Sequence, residues 1–272
     1  MRAKKSLGQH FLKSERALGK IVEAGELKSG DAVLEIGPGM GALTQKMLET
    51  GARVTAVEKD DGLFGFLKNK FEKEIVEKKL TLTHADILDL EISYSLLPAP
   101  YYKLISNIPY NITGAILEKF LSTKYQPERM VLLVQKEVAE RIVAKDGKES
   151  ILSLSVKVYG KPRYVETVKA GSFAPRPKVD SAIIAIENIS KEFFRKFPEK
   201  EFFALLKAGF KSKRKKLSSN LSNLFGKSEI NEIFKKLGIG KNARAEDLNL
   251  DLWQKLAENL EKMENKKNLT SE

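Results

Sequence analysis

Short apolar runs with strand character alternate with amphipathic helical stretches over the first two thirds of this 272-residue chain. The strand-like runs are residues 32–36, 53–57, 80–83, 102–106 and 130–134, and the helical stretches between them include 42–49, 63–71 and 115–122. This alternation predicts an α/β fold, a mostly parallel sheet with helices on both faces. Residues 163–168 and 181–187 follow with little helix between them and are expected to form an antiparallel hairpin at one sheet edge.

The pattern changes at about residue 191. Helical periodicity then dominates, in residues 202–210, 213–224, 229–237 and 250–263. Gly226, Gly238 and Gly240 separate these stretches. We therefore expect two domains, an α/β domain at 1–190 and a small all-helical domain at 191–272.

Composition excludes several classes of function. The chain has no cysteine, so disulfides and thiolate chemistry are absent. His10 and His84 have no carboxylate cluster at ligand spacing, and no metal site is predicted. No apolar run is long enough for a leader or a membrane span, so a cytoplasmic protein is expected. The net charge of +12 favours a polyanionic partner, although a lysine-rich solvated surface has the same composition.

A glycine-rich turn follows the first long strand of the predicted sheet. Gly37, Gly39 and Gly41 allow a tight turn and the close approach of a ligand. The next strand ends in Glu58, where doubly wound folds present an acid to ribose hydroxyls. The third strand leads to Asp86, which is suited to accept a hydrogen bond from the amino group of an adenine ring. Together these strand ends predict a nucleoside-containing cofactor.

Two cofactors compete for this pattern, a dinucleotide and S-adenosylmethionine. The dinucleotide motif places its third glycine one position after Gly41 and uses a helix N-terminus to hold a pyrophosphate. S-adenosylmethionine has no pyrophosphate, and its ammonium and sulfonium tolerate a carboxylate such as Glu35 beside the turn. The sequence therefore favours S-adenosylmethionine. A nicotinamide dehydrogenase would also need a proton-transfer residue that neither histidine supplies convincingly.

A reactive site is predicted at Asn107, Ile108, Pro109 and Tyr110, which end the fourth strand at the same sheet edge. If the methyl acceptor is the exocyclic amine of adenine, the Asn107 amide oxygen and the Ile108 or Pro109 carbonyl can accept hydrogen bonds from its N–H groups. Tyr110 would then stack on the base. Phe173, on a proline-flanked loop, is predicted to cover the opposite face, whereas an ordinary core position is the alternative.

The motifs, taken in order, resemble those of the KsgA (RsmA) family of ribosomal RNA adenine dimethyltransferases. They are residues 5–12, 35–41, 107–111 and 172–181, and the resemblance spans about residues 4 to 187. The resemblance implies a Rossmann-like class I methyltransferase that uses S-adenosylmethionine. It also implies transfer of two methyl groups to each of two adjacent adenosines near the 3′ end of 16S ribosomal RNA, late in small-subunit assembly. The helical domain matches that family in length, without sharp motifs.

The resemblance also assigns cofactor contacts to particular residues. They are His10, Leu12, Gly37, Glu58, Asp86 and Asn107, and the glycine turn adds Gly39. Many relatives have asparagine at position 10, which changes the hydrogen bonding there but not the expected role. Residues 9–12 are expected to close over the cofactor.

A basic segment in the helical domain predicts RNA contact. Residues 207–216 hold six cations, and no acid occurs between Phe202 and Ser228. In a helix the cations would form a phosphate-binding stripe, whereas a solvated face is the usual alternative. The predicted RNA contacts are Lys207, Lys211, Lys213, Arg214 and Lys215, and a second contact near the pocket is predicted at Arg2, Lys4, Lys5 and Lys13.

Two other interpretations stay open. An Erm-type enzyme methylates large-subunit RNA with the same core, and a non-catalytic RNA-binding assembly factor would bind without turnover. The C-terminal domain and the loop at 172–177 disfavour the first, and the intact motif at Asn107–Tyr110 disfavours the second. The expected partner is the immature small ribosomal subunit and its RNA, bound by a monomer.

Overall fold

A computed structural model describes residues 9–93, 99 and 101–269. Nine strands occur in this part of the chain: β1 Phe11–Leu12, β2 Ala32–Ile36, β3 Arg53–Glu58, β4 Leu80–His84, β5 Lys103–Asn107, β6 Arg129–Gln135, β7 Lys161–Val168, β8 Phe173–Ala174 and β9 Ser181–Glu187. The α-helices in the same residues are α1 Glu15–Gly25, α2 Ala42–Glu49, α3 Asp61–Lys70, α4 Glu72–Val76, α5 Thr113–Ser122, α6 Lys136–Val143, α7 Ile151–Lys157, α8 Glu199–Gly209, α9 Leu217–Phe225, α10 Lys227–Leu237 and α11 Leu250–Leu269.

Seven strands form one mostly parallel sheet, in the order β4-β3-β2-β5-β6-β9-β7. The five strands from β4 to β6 are parallel to one another, and β9 pairs antiparallel with both β6 and β7. The α/β prediction is thus confirmed. The predicted hairpin pairing is also correct, but of its two strands only β7 is an edge of the sheet, and β9 lies inside it.

The order of the sheet positions the candidate site. Parallel strands end at one edge, so the residues that close β2, β3, β4 and β5 lie side by side there. All five residues of β2 are buried, and four of them are apolar, as expected of a strand covered on both faces; the fifth is Glu35. Helix α1 begins with a hydrogen bond from the Ala17 N–H to the Ser14 hydroxyl and buries Leu18 and Ile21 in the core of this sheet.

A second, two-stranded sheet joins β1 to β8. Phe11 pairs with Ala174 and Leu12 with Phe173, and the Lys13 N–H donates to the Ser172 carbonyl at 2.8 Å. No periodicity predicts this pairing, because a strand of two residues is too short to alternate. It holds the first described residues of the chain against the loop near Phe173.

The chain divides into two compact units. One comprises the described residues up to 140 together with 160–190, and the other comprises 141–159 together with the described residues from 191 on. The expected boundary at 190 therefore needs a correction, because residues 141–159 group with the helical unit. Hydrogen bonds within that unit explain the grouping: the Glu149 N–H donates to the Glu246 carbonyl at 2.9 Å, and the Tyr159 hydroxyl donates to Glu199.

The basic segment of the helical unit is a loop over most of its length. The helix predicted for residues 213–224 begins only at Leu217, and α8 ends at Gly209. The buried amide of Asn220 explains the break, since it donates to the Gly209 carbonyl at 2.6 Å and to the Ser212 carbonyl at 3.1 Å. These hydrogen bonds hold the segment as a loop against α9, so it does not continue as a helix.

Candidate active site

A cavity of about 280 Å³ opens at the carboxyl edge of the parallel strands. All the predicted cofactor contacts line it, and so does the reactive motif; these residues are His10, Leu12, Gly37, Gly39, Glu58, Asp86, Asn107, Ile108, Pro109 and Tyr110. Glu35 and Lys59 also line the cavity. The structure therefore brings into one place groups that are far apart in sequence, as a small-molecule site requires.

The glycine turn needs its glycines for two different reasons. Gly37 has φ 64° and Gly41 has φ 75°, both in the left-handed region that favours glycine. A Cβ on Gly41 would lie 2.5 Å from the Phe71 ring, whereas a Cβ on Gly37 would meet no described atom within 4 Å. Since Gly37 lines the cavity, the space beside it is the space of a ligand.

Glu58 connects the end of β3 to the glycine turn. Its buried carboxylate accepts the Gly39 N–H at 3.2 Å and the Asp60 N–H at 2.8 Å. Burial raises the pKa of Glu58, and these N–H donors oppose the rise. The carboxylate is thus held at the cavity wall by backbone groups, in the position from which an acid reaches ribose hydroxyls.

Glu35 lines the cavity, and the sequence prediction placed it near the turn without giving it a contact. It is fully buried at the cavity wall, and its carboxylate accepts the Thr44 hydroxyl at 2.6 Å. Burial raises the pKa of Glu35 to about 8, against the Thr44 hydrogen bond and with a further rise from Glu58. The site therefore holds a carboxyl group that a cationic ligand would ionise.

Asp86 is held by a lysine that the sequence interpretation did not single out. The Lys59 ammonium lies 2.5 Å from one carboxylate oxygen of Asp86, and the Leu88 N–H donates to the other at 2.9 Å. The hydrogen bond from Lys59 is the main reason why the pKa of Asp86 is lowered. The only sequence signal for Lys59 is its position, one residue after Glu58.

Asn107 ends β5 with a defined orientation of its amide. Its NH₂ group donates to the His10 carbonyl at 3.2 Å. Because that carbonyl can only accept, the amide oxygen is on the other side of the group and is available to accept. The Asn107 amide thus has the polarity that an incoming amino group needs.

Tyr110 is half-buried and contacts two neighbours. Its hydroxyl lies 2.7 Å from the Ser181 hydroxyl, and burial raises its pKa. The ring stacks on His10 with centroids 5.7 Å apart, and the His10 Nδ1–H donates to the Pro175 carbonyl at 2.8 Å. His10 thus joins the reactive motif to the loop that follows β8.

The two candidate carbonyls of the motif differ. The Pro109 carbonyl accepts the Ile112 N–H at 3.2 Å, which closes the turn before α5. Among the described residues, no backbone N–H donates to the Ile108 carbonyl. Ile108 is therefore the better candidate for the second acceptor.

Phe173 does not line the cavity, so its predicted place over a base needs a correction. The ring is buried in the apolar core with Leu12 and Leu18, and its backbone pairs with Leu12. In this conformation Phe173 is an ordinary core residue, because a buried ring has no open face on which a base can stack.

The predicted RNA contacts share exposure but not a helix face. Lys207 lies on α8, and Lys211, Lys213, Arg214 and Lys215 lie on the loop that follows it, so the predicted stripe along one helix is wrong. These five side chains have no ion pair in the part of the chain that the structure describes. Of the second predicted contact, Lys13 is exposed, and Arg2, Lys4 and Lys5 lie outside the described residues.

Two kinds of feature are missing over residues 9–93, 99 and 101–269. No group of three histidine, aspartate or glutamate side chains there could hold a metal ion. No helix there has both the length and the apolar character that crossing a membrane requires.

Comparison with known proteins gives the same picture. The family described as ribosomal RNA adenine dimethylase matches residues 1–262. Two relatives named ribosomal RNA small subunit methyltransferase A are similar to most of the chain. The protein of Dehalococcoides mccartyi strain CBDB1 is 43% identical over 94% of this chain and 88% of its own length, and that of Thermosynechococcus vestitus is 39% identical over 97% and 99%.

Two solved structures share the fold at moderate identity. A dimethyladenosine transferase from Plasmodium falciparum has a TM-score of 0.77 and 28% identity over 95% of this chain and 98% of that one. The 23S rRNA methyltransferase ErmE has a TM-score of 0.74 and 26% identity over 92% and 99%. Fold and site together define a Rossmann-like, S-adenosylmethionine-dependent methyltransferase. The chain belongs to the ribosomal RNA adenine dimethylase family.

Proposed function

We propose that this protein dimethylates the N6 amines of two adjacent adenosines near the 3′ end of 16S ribosomal RNA. Curated relatives over nearly the whole chain are named for the small subunit, which supports this substrate. The immature small subunit is the proposed partner, and the enzyme acts as a monomer in the cytoplasm. The orientation of the Asn107 amide, which turns its oxygen away from His10, is the observation that carries the proposal.

The residues of the cavity fit S-adenosylmethionine. Glu58 would hold the ribose, Asp86 the adenine amine, and Gly37 and Gly39 the space beside the turn. Glu35 adds a buried carboxyl that matches a cationic ligand. When bound, the cofactor supplies an electrophilic methyl group on a sulfonium.

The protein has to make a poor nucleophile reactive. The lone pair of the adenine amine is delocalised into the ring while the amine stays planar. Hydrogen bonds from the two N–H groups to the Asn107 amide oxygen and the Ile108 carbonyl would turn the lone pair out of the ring plane and stabilise positive charge on nitrogen. The product ammonium is acidic enough to lose its proton to water, so no general base is needed.

Tyr110 is the proposed stacking surface for the acceptor base. Stacking on one aromatic ring is worth about 1–3 kcal/mol, comparable with the cost of unstacking the target. Two rings 5.7 Å apart leave no room for a third between them, because two van der Waals contacts need about 7 Å. A base that stacks on the His10 face of Tyr110 therefore has to displace the His10 ring.

The helical unit is the proposed RNA-binding domain. Its loop at Lys211–Lys215 carries four exposed cations without an acid between them, and Lys207 adds a fifth. Such a cluster binds backbone phosphates without reading sequence. Selection of the methylation site is therefore left to the structure of the ribosomal RNA.

Large-subunit methylation is the second candidate function. The ErmE structure supports it, since its TM-score of 0.74 covers 92% of this chain. Its 26% identity is well below the 43% shared with the relative named for the small subunit. Small-subunit RNA is therefore the better supported substrate.

Transfer of labelled methyl groups from S-adenosylmethionine to immature small subunits tests the proposal. Wild type should label two adjacent adenosines, mature large subunits should stay unlabelled, and Asn107→Ala should lose activity by a factor of about a hundred or more. Labelling of large subunits instead would favour the Erm-type function. Binding of small subunits without any labelling would favour the assembly factor.

A further inference from the structure

Three exposed cations surround the loop that follows β8. Lys13 comes directly after β1, and Arg176 and Lys178 lie on the loop itself. None of the three has an ion pair among the described residues. We propose that these rim cations bind the backbone phosphates of single-stranded RNA on either side of the target adenosine, an inference that rests on the proposed function.

The loop presents Arg176 and Lys178 to solvent because neighbouring residues of the loop are buried. Phe173 and Pro177 are buried, whereas Pro175, Arg176 and Lys178 are exposed. Buried and exposed positions in such close succession fix which side chains reach solvent. Arg176 and Lys178 are therefore displayed by a held segment, which lowers the entropy cost of binding a flexible strand.

Hydrogen bonds place this rim beside the acceptor site. The Pro175 carbonyl, next to Arg176, accepts the His10 Nδ1–H at 2.8 Å, and His10 stacks on Tyr110. On the other strand the Lys13 N–H donates to the Ser172 carbonyl at 2.8 Å. The cations thus flank the ring proposed to hold the base, and none of them lines the cofactor cavity.

The acid of this loop does not cancel the positive charge. The Asp180 carboxylate accepts the Ala170 N–H at 3.0 Å and pairs with the Lys169 ammonium at 3.0 Å. That backbone hydrogen bond is the main reason for its lowered pKa, and Lys169 lowers it further. The charge of Asp180 is thereby matched by Lys169, which leaves Arg176 and Lys178 available for phosphates.

A matched control exists on the opposite edge of the sheet. Lys28 precedes β2, Arg53 begins β3 and Lys161 begins β7, so all three lie at the amino ends of strands that run in the same direction, on the sheet edge opposite the cavity. Each is exposed and has no ion pair in the described part of the chain. Replacing them removes the same charge, two lysines and one arginine, from a surface where no RNA is proposed.

The experiment compares Lys13→Gln/Arg176→Gln/Lys178→Gln with Lys28→Gln/Arg53→Gln/Lys161→Gln. The probe is a single-stranded RNA hexamer with two central adenosines, and its twin has uncharged methylphosphonate linkages beside them. Binding is measured by fluorescence anisotropy with saturating S-adenosylhomocysteine. Wild type and the control variant should prefer the charged hexamer at least tenfold, and the rim variant should bind both hexamers alike.

Salt dependence gives a second measure. Each phosphate contact contributes about 0.7 to the slope of log affinity against log salt, so the rim variant should have a slope shallower by about 2 and an affinity about tenfold to a hundredfold lower at 0.1 M salt. Its affinity for S-adenosylmethionine should change less than twofold. Equal losses in the two triple variants, or an undiminished preference for the charged hexamer in the rim variant, would overturn the inference.

The two proposals fail in different experiments. If wild type labels no small subunit while the rim variant alone loses its preference for the charged hexamer, the proposed substrate is wrong and the phosphate rim stands. If wild type labels small subunits and the rim variant keeps both its slope and its preference, the rim is wrong and the proposed function stands.

Discussion

The ammonium of Lys59 lies 2.5 Å from the carboxylate of Asp86 at the wall of the cofactor cavity. Lys59 lowers the pKa of Asp86 and so keeps it ionised as an acceptor. Asp86→Ala should weaken binding of S-adenosylhomocysteine about tenfold, because a hydrogen bond to a charged group is lost. Titration calorimetry with this ligand and with its inosine analogue measures the effect.

The inosine analogue lacks the amino group from which Asp86 is proposed to accept a hydrogen bond. Wild type should bind it about tenfold more weakly than the adenosine compound, whereas Asp86→Ala should bind the two alike. Asp89→Ala is the matched control, since Asp89 is exposed on the same loop and does not line the cavity. Persistent discrimination in Asp86→Ala would remove the residue from adenine recognition.

Glu35 predicts an unusual pH dependence of stability. Its pKa is about 8 in the folded protein and 4.5 without the fold, so between these values the folded state keeps a proton that the unfolded chain has lost. The free energy of unfolding should therefore fall by a few kcal/mol as the pH rises from about 5 to 8. Glu35→Gln should flatten this slope, and urea unfolding at several pH values checks it.

The same group should respond to the cofactor. A cationic ligand favours the ionised carboxylate, so binding of S-adenosylmethionine to wild type at pH 7 should release protons, and its affinity should rise with pH. Calorimetry in two buffers of different ionisation enthalpy measures the release, which Glu35→Gln should abolish. Equal proton release in both proteins would show that Glu35 is not the group.

Gly37 and Gly41 should separate ligand binding from folding. Gly41→Ala drives a Cβ to 2.5 Å from the Phe71 ring and should cost roughly 3 kcal/mol of unfolding free energy. Gly37→Ala meets only backbone strain of about 1 kcal/mol, but its methyl group enters the cavity. Thermal unfolding and cofactor titration of both variants test this, and a Gly37→Ala protein with normal cofactor affinity would contradict it.

Phe173 should behave as a core residue. Phe173→Ala should cost about 3–5 kcal/mol of stability, whereas Phe173→Leu should cost less than about 1.5 kcal/mol and keep methyl transfer at saturating cofactor. Denaturant unfolding and initial rates on small subunits measure the two effects. A stable Phe173→Leu protein with a tenfold lower rate would instead mean that the ring leaves the core to stack on the base.

Asn220 should control RNA affinity without carrying charge. Asn220→Ala removes its hydrogen bonds to the Gly209 and Ser212 carbonyls, which loosens the cationic loop. RNA affinity should fall about threefold to tenfold with an unchanged salt slope, whereas replacing Lys213, Arg214 and Lys215 should make the slope shallower. Ser222→Ala, which removes one hydrogen bond within α9, is the control and should bind normally.

The middle of the sheet could be predicted because β5 and β6 are largely buried apolar runs bounded by turns. The acids and glycines at the ends of β2 and β3 could be predicted to form one site, because the carboxyl ends of parallel strands converge at one edge of the sheet. His10 and Pro175 meet across 165 positions, a tertiary contact that no local pattern encodes. Residues 213–216 were predicted to be helical because cationic periodicity suits an exposed loop equally well, and the hydrogen bonds of the buried Asn220 amide to the Gly209 and Ser212 carbonyls hold them as a loop.

The pairing of β1 with β8 has a consequence for synthesis. During translation the residues around Leu12 emerge before Phe173 and have no strand partner until Phe173 has been made and released. Because β9 separates β6 from β7, the sheet also waits for the strand made last. A nascent chain therefore cannot complete the part of the cavity around His10 and Tyr110 until the residues that hold them, Pro175 and Ser181, have been made. Unfinished polypeptides released from the ribosome before this point would lack the geometry to modify RNA.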